Sequence, residues 1–307
     1  MRFALATPGL NNYPAAMAPW EPRSSGADVV RFARKADQLS WDWLTLPEHI
    51  IMPTDMAPVM GSRFAEGIAA AAVLCGATQR IRMLTYILAL PYRHPLLLAK
   101  QISTMEFLAG GRFTLGTAVG HLEKEFEVLG VPFEKRGAIT DEYLRALKEV
   151  WTSDHPRFEG EFVQFRDIVF EPKPRQKPHP PIYIGGNTKA AMRRAVMLGD
   201  GWIPWLVTAA DLPGCIEYMK SLPEWEEKAA RFEILVTTTA YNVEDYSHAE
   251  RGETEISGDR DSVLREIEAL KKAGATAVQV MPPKVQTFEQ SLEWIEWYDS
   301  EIIPQFR

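Results

Sequence analysis

The feature that most constrains the fold is an alternation. Apolar runs of strand length follow one another along the chain, and apolar residues at helical spacing lie between them. The runs are FALAT (3–7), WDWLTL (41–46), RIRMLTYILAL (80–90), RFTLGTA (112–118), PIYIGG (181–186), GWIPWL (201–206), FEILVTTTA (232–240) and TAVQVM (276–281). The helical stripes are Val29, Phe32, Ala33, Ala36 and Leu39 after a capping Asp28, then a small-residue helix over 64–76. Leu98, Ile102, Met105 and Leu108 follow Pro95 and stop at Gly110 and Gly111. Tyr143, Leu147, Val150 and Trp151 mark another helix, Val263, Ile267 and Leu270 a further one that leaves at Gly274, and 287–299 the last.

Strands separated by helices pair in parallel, because a parallel crossover needs a dozen or more residues. Eight such units predict a (β/α)₈ TIM barrel. A length of 307 residues fits one such domain, since α/β barrels routinely exceed the ~150 residues usual for a domain. The rival, a doubly wound open sheet, would want fewer strands and a glycine-rich first turn. The first turn, TPGLNNYP, contains no GxGxxG. An insertion over 154–181 interrupts the alternation before strand five. Its FEGEFVQFRDIVFEP reads as a hairpin and its PKPRQKPHPP as an extended, proline-stiffened lead.

Several function classes are excluded. A net charge of −7 leaves no basic footprint for nucleic acid. The apolar stretches fall far below the ~18 residues of a membrane span. Cys75 and Cys215 form no CxxC pair, so a reducing cytoplasm is expected. The start, MRFALATPGL, lacks the flanks of a signal peptide. No histidine–carboxylate spacing suggests a metal site, and neither GxSxG nor a P-loop occurs.

Barrel active sites lie at the C-terminal ends of the strands, so those ends carry the candidates. WLTLPEHI (43–50) finishes strand two on Glu48 and His49. His49 there is either a proton donor and acceptor or a loop histidine capping the backbone. IGGNTKAAMRRA (184–195) leaves a strand through two glycines and enters a helix. That is an anion-binding arrangement or a plain tight turn. LGTAVGHLEKE (115–125) places His121 and Glu125 four residues apart, on one face if helical, with Glu123 and Lys124 in water. His94 reads as a helix start. Met52, Met56 and Met60 in the loop after strand two are either an adaptable apolar lid or rim packing. The substrate pocket would be built from loops such as 50–63 and 241–257.

Three longer stretches carry a resemblance: RIRMLTYILALPYRHPLLLAKQISTMEFLAGGRFTLG (80–116), GVPFEKRGAITDEYLRALKEVW (130–151) and PKPRQKPHPPIYIGGNTKAAMRRAVMLGDGW (172–202). Over residues 1 to about 205 the chain resembles the luciferase-like monooxygenase superfamily. Within it the chain is most similar to oxidoreductases using the deazaflavin coenzyme F420. The resemblance implies a ring held at the strands' C-terminal ends. It gives His49 the place of the family's active-site histidine. Gly185, Gly186 and Asn187 match its phosphate-binding turn, with Lys189, Arg193 and Arg194 nearby. Thr85, Tyr86 and Ile87 align with the strand beneath the ring, where the family carries a non-prolyl cis peptide between Tyr86 and Ile87. Gly120 belongs to the glycine run after strand four. There His121 replaces a glutamate proposed as an acid, and Val119 an arginine that contacts FMN phosphate. The expected activity is hydride transfer between F420 and an organic small molecule, with His49 and His121 catalytic. The alternatives are an FMN-dependent monooxygenase served by a separate flavin reductase, and a flavin-binding barrel without turnover. A homodimer is expected, with FAEGIAAAAVLCGA (64–77) near its interface.

Overall fold

The computed structural model describes residues 1–238 and 260–307, and between them the backbone of two short strands, Val243–Glu244 and Ala249–Glu250. The end of the seventh run (239–240) and most of the 241–257 loop lie outside the described residues.

Eight strands form the barrel: β1 (Arg2–Ala6), β2 (Trp43–Leu46), β3 (Arg82–Thr85), β4 (Phe113–Ala118), β5 (Ile182–Gly185), β6 (Gly201–Ile203), β7 (Glu233–Thr237) and β8 (Ala277–Val280). Each pairs in parallel with its neighbours in sequence. β8 pairs with β1, with Phe3 beside Val278, and closes the ring. Helices cover the outside, as predicted. Successive side chains of a strand face opposite ways, so Phe3 and Leu5 enter the layer beneath the helices while Ala4 faces the bore. Inside, Ala4, Trp43, Leu84, Tyr183, Ile203, Leu235 and Ala277 pack together. Trp43 and Tyr183 meet edge to face at 6.3 Å, and the Trp43 Nε1–H donates to Thr114 Oγ1 at 3.1 Å. The bore is therefore a filled core, and a ligand can enter only from an end.

The third run is not one strand. After β3 the Tyr86–Ile87 peptide is cis, and the chain re-pairs as Leu88–Ala89 beside Thr117 and Ala118 of β4. Helix α1 (Gly26–Gln38) also begins earlier than its period suggests. Its cap is Ser25, and Asp28 is the reciprocal partner three residues on, in a capping box. Helix α2 (Gly67–Ala77) starts after Glu66, which accepts from the Ala69 N–H. Helix α3 (Pro95–Ala109) is capped by His94 and ends at Gly110 with φ 75°, as read. The remaining major helices are α4 (Glu123–Leu129), α5 (Arg136–Thr152), α6 (Lys189–Leu198), α7 (Leu212–Lys220), α8 (Arg260–Lys272) and α9 (Phe288–Glu301). The insertion contains the expected hairpin, Phe158–Glu159 against Gln164–Phe165. Its turn is held by Glu142 of α5, which accepts from the N–H groups of Glu161, Phe162 and Val163.

Candidate active site

Beyond β2 two neighbouring side chains part company. Glu48 is buried and turns toward α2. It accepts from the Gly67 N–H at 2.9 Å and from both terminal nitrogens of Arg93, which also reaches Glu66 at 2.6 Å. Burial pushes the Glu48 carboxyl up from the usual range and Arg93 opposes it. The clamp fixes where the next residue emerges.

That residue, His49, meets Glu125 of α4, with Nδ1 2.9 Å from Oε2. Glu125 is a hub: its side chain is 1% exposed. It also accepts from Tyr92 Oη at 3.0 Å and from the N–H groups of Ile50 and Ile51 at 2.8 and 3.2 Å. Burial alone would raise its carboxyl. The bond and charge of His49 and the two backbone donors outweigh this and hold it below the ordinary value. Burial and that same carboxylate push the Tyr92 phenol up, so Tyr92 remains a donor. An ionised Glu125 only accepts. The Nδ1–H of His49 is therefore fixed on it, and Nε2 is the ring nitrogen that Glu125 does not hold. Phe64 and His121 stand edge to face against the imidazole, at centroid separations of 4.7 and 5.7 Å.

At the C-terminal end of the barrel a cavity of ≈ 320 Å³ is lined by residues of several strand ends and loops. Its walls are mainly apolar: Ala6, Pro8, Met17, Pro47, Leu206, Val207 and Met281. Its floor is a directed chain of hydrogen bonds. The Gln279 amide oxygen accepts from Thr237 Oγ1 at 3.0 Å, so that hydroxyl in turn accepts from Tyr86 Oη at 2.6 Å. The Gln279 Nε2 donates to Thr45 Oγ1 at 2.9 Å. Thr7 Oγ1, also in the lining, is buried without a partner among the described residues. Apolar walls with a few convergent polar groups suit a planar heteroaromatic ring with polar edges, so these residues fit a flavin or deazaflavin.

Of the other residues singled out in the sequence, Tyr86 lines this cavity. Ile87 fills the space above Gly185, where an added Cβ would lie 2.4 Å from Ile87 Cδ1. Thr85 is buried and its hydroxyl is spent on Gly116, donating to the carbonyl at 2.8 Å and accepting from the N–H at 3.0 Å. Gly120 has φ +81°, and Phe126 occupies the space a side chain there would need. At the β5–α6 turn Gly186, with φ +117°, donates its N–H to Ile203 and accepts from Trp202 Nε1. The Asn187 amide is tied at both ends to the backbone of Trp205. Arg194 is engaged by Asp141 and the Gly137 carbonyl. Thus Asn187 and Arg194 are used within the protein, while Lys189 and Arg193 lie on the exposed side of α6.

His121 precedes α4 rather than lying on it, since Leu122 is the cap. It is exposed and borders a second cavity of ≈ 360 Å³ formed with residues 53–56 and 122–124. Met56 belongs to that cavity, and Met60 is buried. Sequence reasoning missed Tyr92 and Arg93 and the bond between His49 and Glu125, whose partners are 76 residues apart. It also missed Gln279, although a lone glutamine within TAVQVM was a visible signal. Among the described residues no helix is long and apolar enough to cross a membrane.

The luciferase-like monooxygenase family model matches residues 1–252. An FMNH2-dependent dimethylsulfone monooxygenase of Pseudomonas putida is 25% identical over 94% of this chain and 84% of its own length. An uncharacterised protein of Mycobacterium tuberculosis is 30% identical over 74% of this chain and 83% of its own. Among solved structures, the coenzyme F420 dependent tetrahydromethanopterin reductase of Methanopyrus kandleri superposes with a TM-score of 0.75, at 16% identity, over 100% of this chain and 99% of that one. Matched over most of its length, and with a ring-sized cavity at the mouth of its barrel, the chain belongs to the luciferase-like monooxygenase family and is an enzyme of the flavin or deazaflavin type.

Proposed function

We propose that the protein moves a hydride between coenzyme F420 and an organic small molecule, with His49 handling the accompanying proton. The observation that carries this reading is the His49–Glu125 pair. A carbon–oxygen group that gains or loses a hydride must gain or lose a proton at oxygen. An imidazole with one nitrogen pinned by a carboxylate and the other uncommitted is built for that task. The bound ring would supply the hydride chemistry, and the protein's part is orientation and proton control. Tyr86, Ile87 and the floor hydroxyls would hold the ring. The Gly185–Gly186–Asn187 turn would set the first turn of α6 against a phosphate, through backbone N–H groups rather than the Asn187 amide. His121 would assist His49. A homodimer in the cytoplasm completes the proposal.

The second reading, a reduced-FMN monooxygenase supplied by a separate reductase, is favoured by the likeness to the Pseudomonas putida enzyme over 94% of this chain. Parallel titrations with F420 and FMN separate the two. Binding of F420 without FMN supports the first reading. Oxygen uptake with reduced FMN supports the second and would displace it. Once a substrate is found, His49→Ala should lower turnover by about 10²–10⁴-fold with cofactor affinity largely kept. Lost affinity with intact turnover at saturation would make His49 a positioning group instead.

A further inference from the structure

The second cavity shares no lining residue with the ring-sized one, yet it ends on His121. That histidine is exposed, and its ring is 5.7 Å from the ring of His49, edge to face at 79°. His49 itself is nearly shut off, with a side-chain exposure of 14%. Glu125, Phe64 and His121 pack against its ring. Glu125 cannot carry its proton onward, because it is buried and held ionised by four donors. Tyr92 cannot either, because its phenol is held protonated on the same carboxylate. A group that exchanges a proton every turnover needs a path to water, and of the groups packed against the His49 ring only His121 combines an imidazole with exposure to a cavity.

We propose that His121 is the proton relay between His49 and solvent. The proton on His49 Nε2 passes to a His121 nitrogen, directly or through one water. His121 then releases it to water in the second cavity. The N–H bond at Nε2 breaks, one forms on His121 and breaks in turn, and the Nδ1–H stays on Glu125 throughout. For a reaction consuming a proton the same steps run inward. The flanking Asp55, Glu123 and Lys124 leave the cavity polar enough to admit buffer.

The inference rests on the acid–base reading of His49, but its test needs no substrate. In protein labelled with ¹⁵N-histidine, the rate at which the His49 imidazole N–H exchanges with water is read by saturation transfer. His49→Ala assigns the signal by removing it. The rate should be independent of buffer in the wild type. In His121→Ala it should fall about tenfold and recover as free imidazole is added. His121→Gln, which keeps polarity without titrating, should behave like the alanine variant. Equal rates in wild type and variants, or a slowing that imidazole does not relieve, would overturn the relay. Failure of the hydride-transfer reading would appear elsewhere, as turnover indifferent to His49→Ala, and would leave these exchange rates untouched.

Discussion

At the scale of single residues, Glu125 decides more than its place on a short surface helix suggests. Its carboxylate accepts four hydrogen bonds and orders both the catalytic candidate and the backbone that follows it. Glu125→Gln keeps the shape but turns one acceptor into a donor facing Tyr92 and His49. Hydrogen bonds to a charged group contribute roughly 1.5–3 kcal/mol each, and only part is regained by the amide. We expect a loss of about 2 kcal/mol in denaturant unfolding at pH 7. The sign of its pH dependence follows from the carboxyl lying below the ordinary value of 4.5. A depressed carboxyl stabilises the fold fully above the unfolded value and loses that contribution as pH falls through the folded one. The gap between wild type and Glu125→Gln should therefore narrow on acidification below about pH 5. A gap that goes on widening below that pH would contradict the assignment. In the sequence, position past a barrel strand made His49 a candidate beside the reading of a loop histidine, and the family resemblance, not the position, favoured it. Its partner was not legible, because spacing alone set Glu125 beside His121 on a helix that in fact begins after it.

At the scale of elements, the eight strands were legible because a strand buried on both faces must be nearly continuous in apolar residues. What period could not supply was the break within the third run, since Tyr86 and Ile87 have ordinary strand propensity. Nor could period tell which glycines the strands require. Two of them separate cleanly. A Cβ on Gly116 would lie 2.0 Å from the Thr85 carbonyl oxygen, a backbone atom in the neighbouring strand. β3 and β4 can yield only by parting, so Gly116→Ala should cost more than ~4 kcal/mol or prevent folding. A Cβ on Gly185 would lie 2.4 Å from Ile87 Cδ1, the tip of a flexible side chain. Gly185→Ala should cost about 1–3 kcal/mol, the usual range for overpacking. Adding Ile87→Val, which removes that tip, should recover most of it. Unfolding midpoints in urea would rank the three proteins. A mild Gly116→Ala, or a Gly185→Ala loss that Ile87→Val leaves unchanged, would refute these contacts as the cause.

At the scale of the whole molecule, one side of the barrel is unlike the rest. A surface helix ordinarily turns an apolar stripe inward and a polar one outward. Helix α2, GIAAAAVLCGA, has no polar side at all. Ile68, Ala71, Leu74 and Cys75 face the barrel, which leaves Val73 outside at 61% exposure. Helix α3 packs beside it and leaves Leu97, Phe107 and Leu108 exposed by 57, 61 and 76%. Covering such side chains is favourable by roughly 25 cal/mol per Å² of apolar surface. A stable pair of subunits needs about 800 Å² from each. Small residues on α2 let a second backbone come close, which long side chains would forbid. The expected homodimer therefore places α2 and α3 against their copies. Sedimentation at micromolar concentration should give twice the mass of one chain. Val73→Asp combined with Phe107→Asp should give the single mass with an unchanged circular dichroism spectrum, because neither side chain supports the fold of its own subunit. A wild-type monomer would remove the dimer. A double variant that still pairs would move the interface to another face of the barrel.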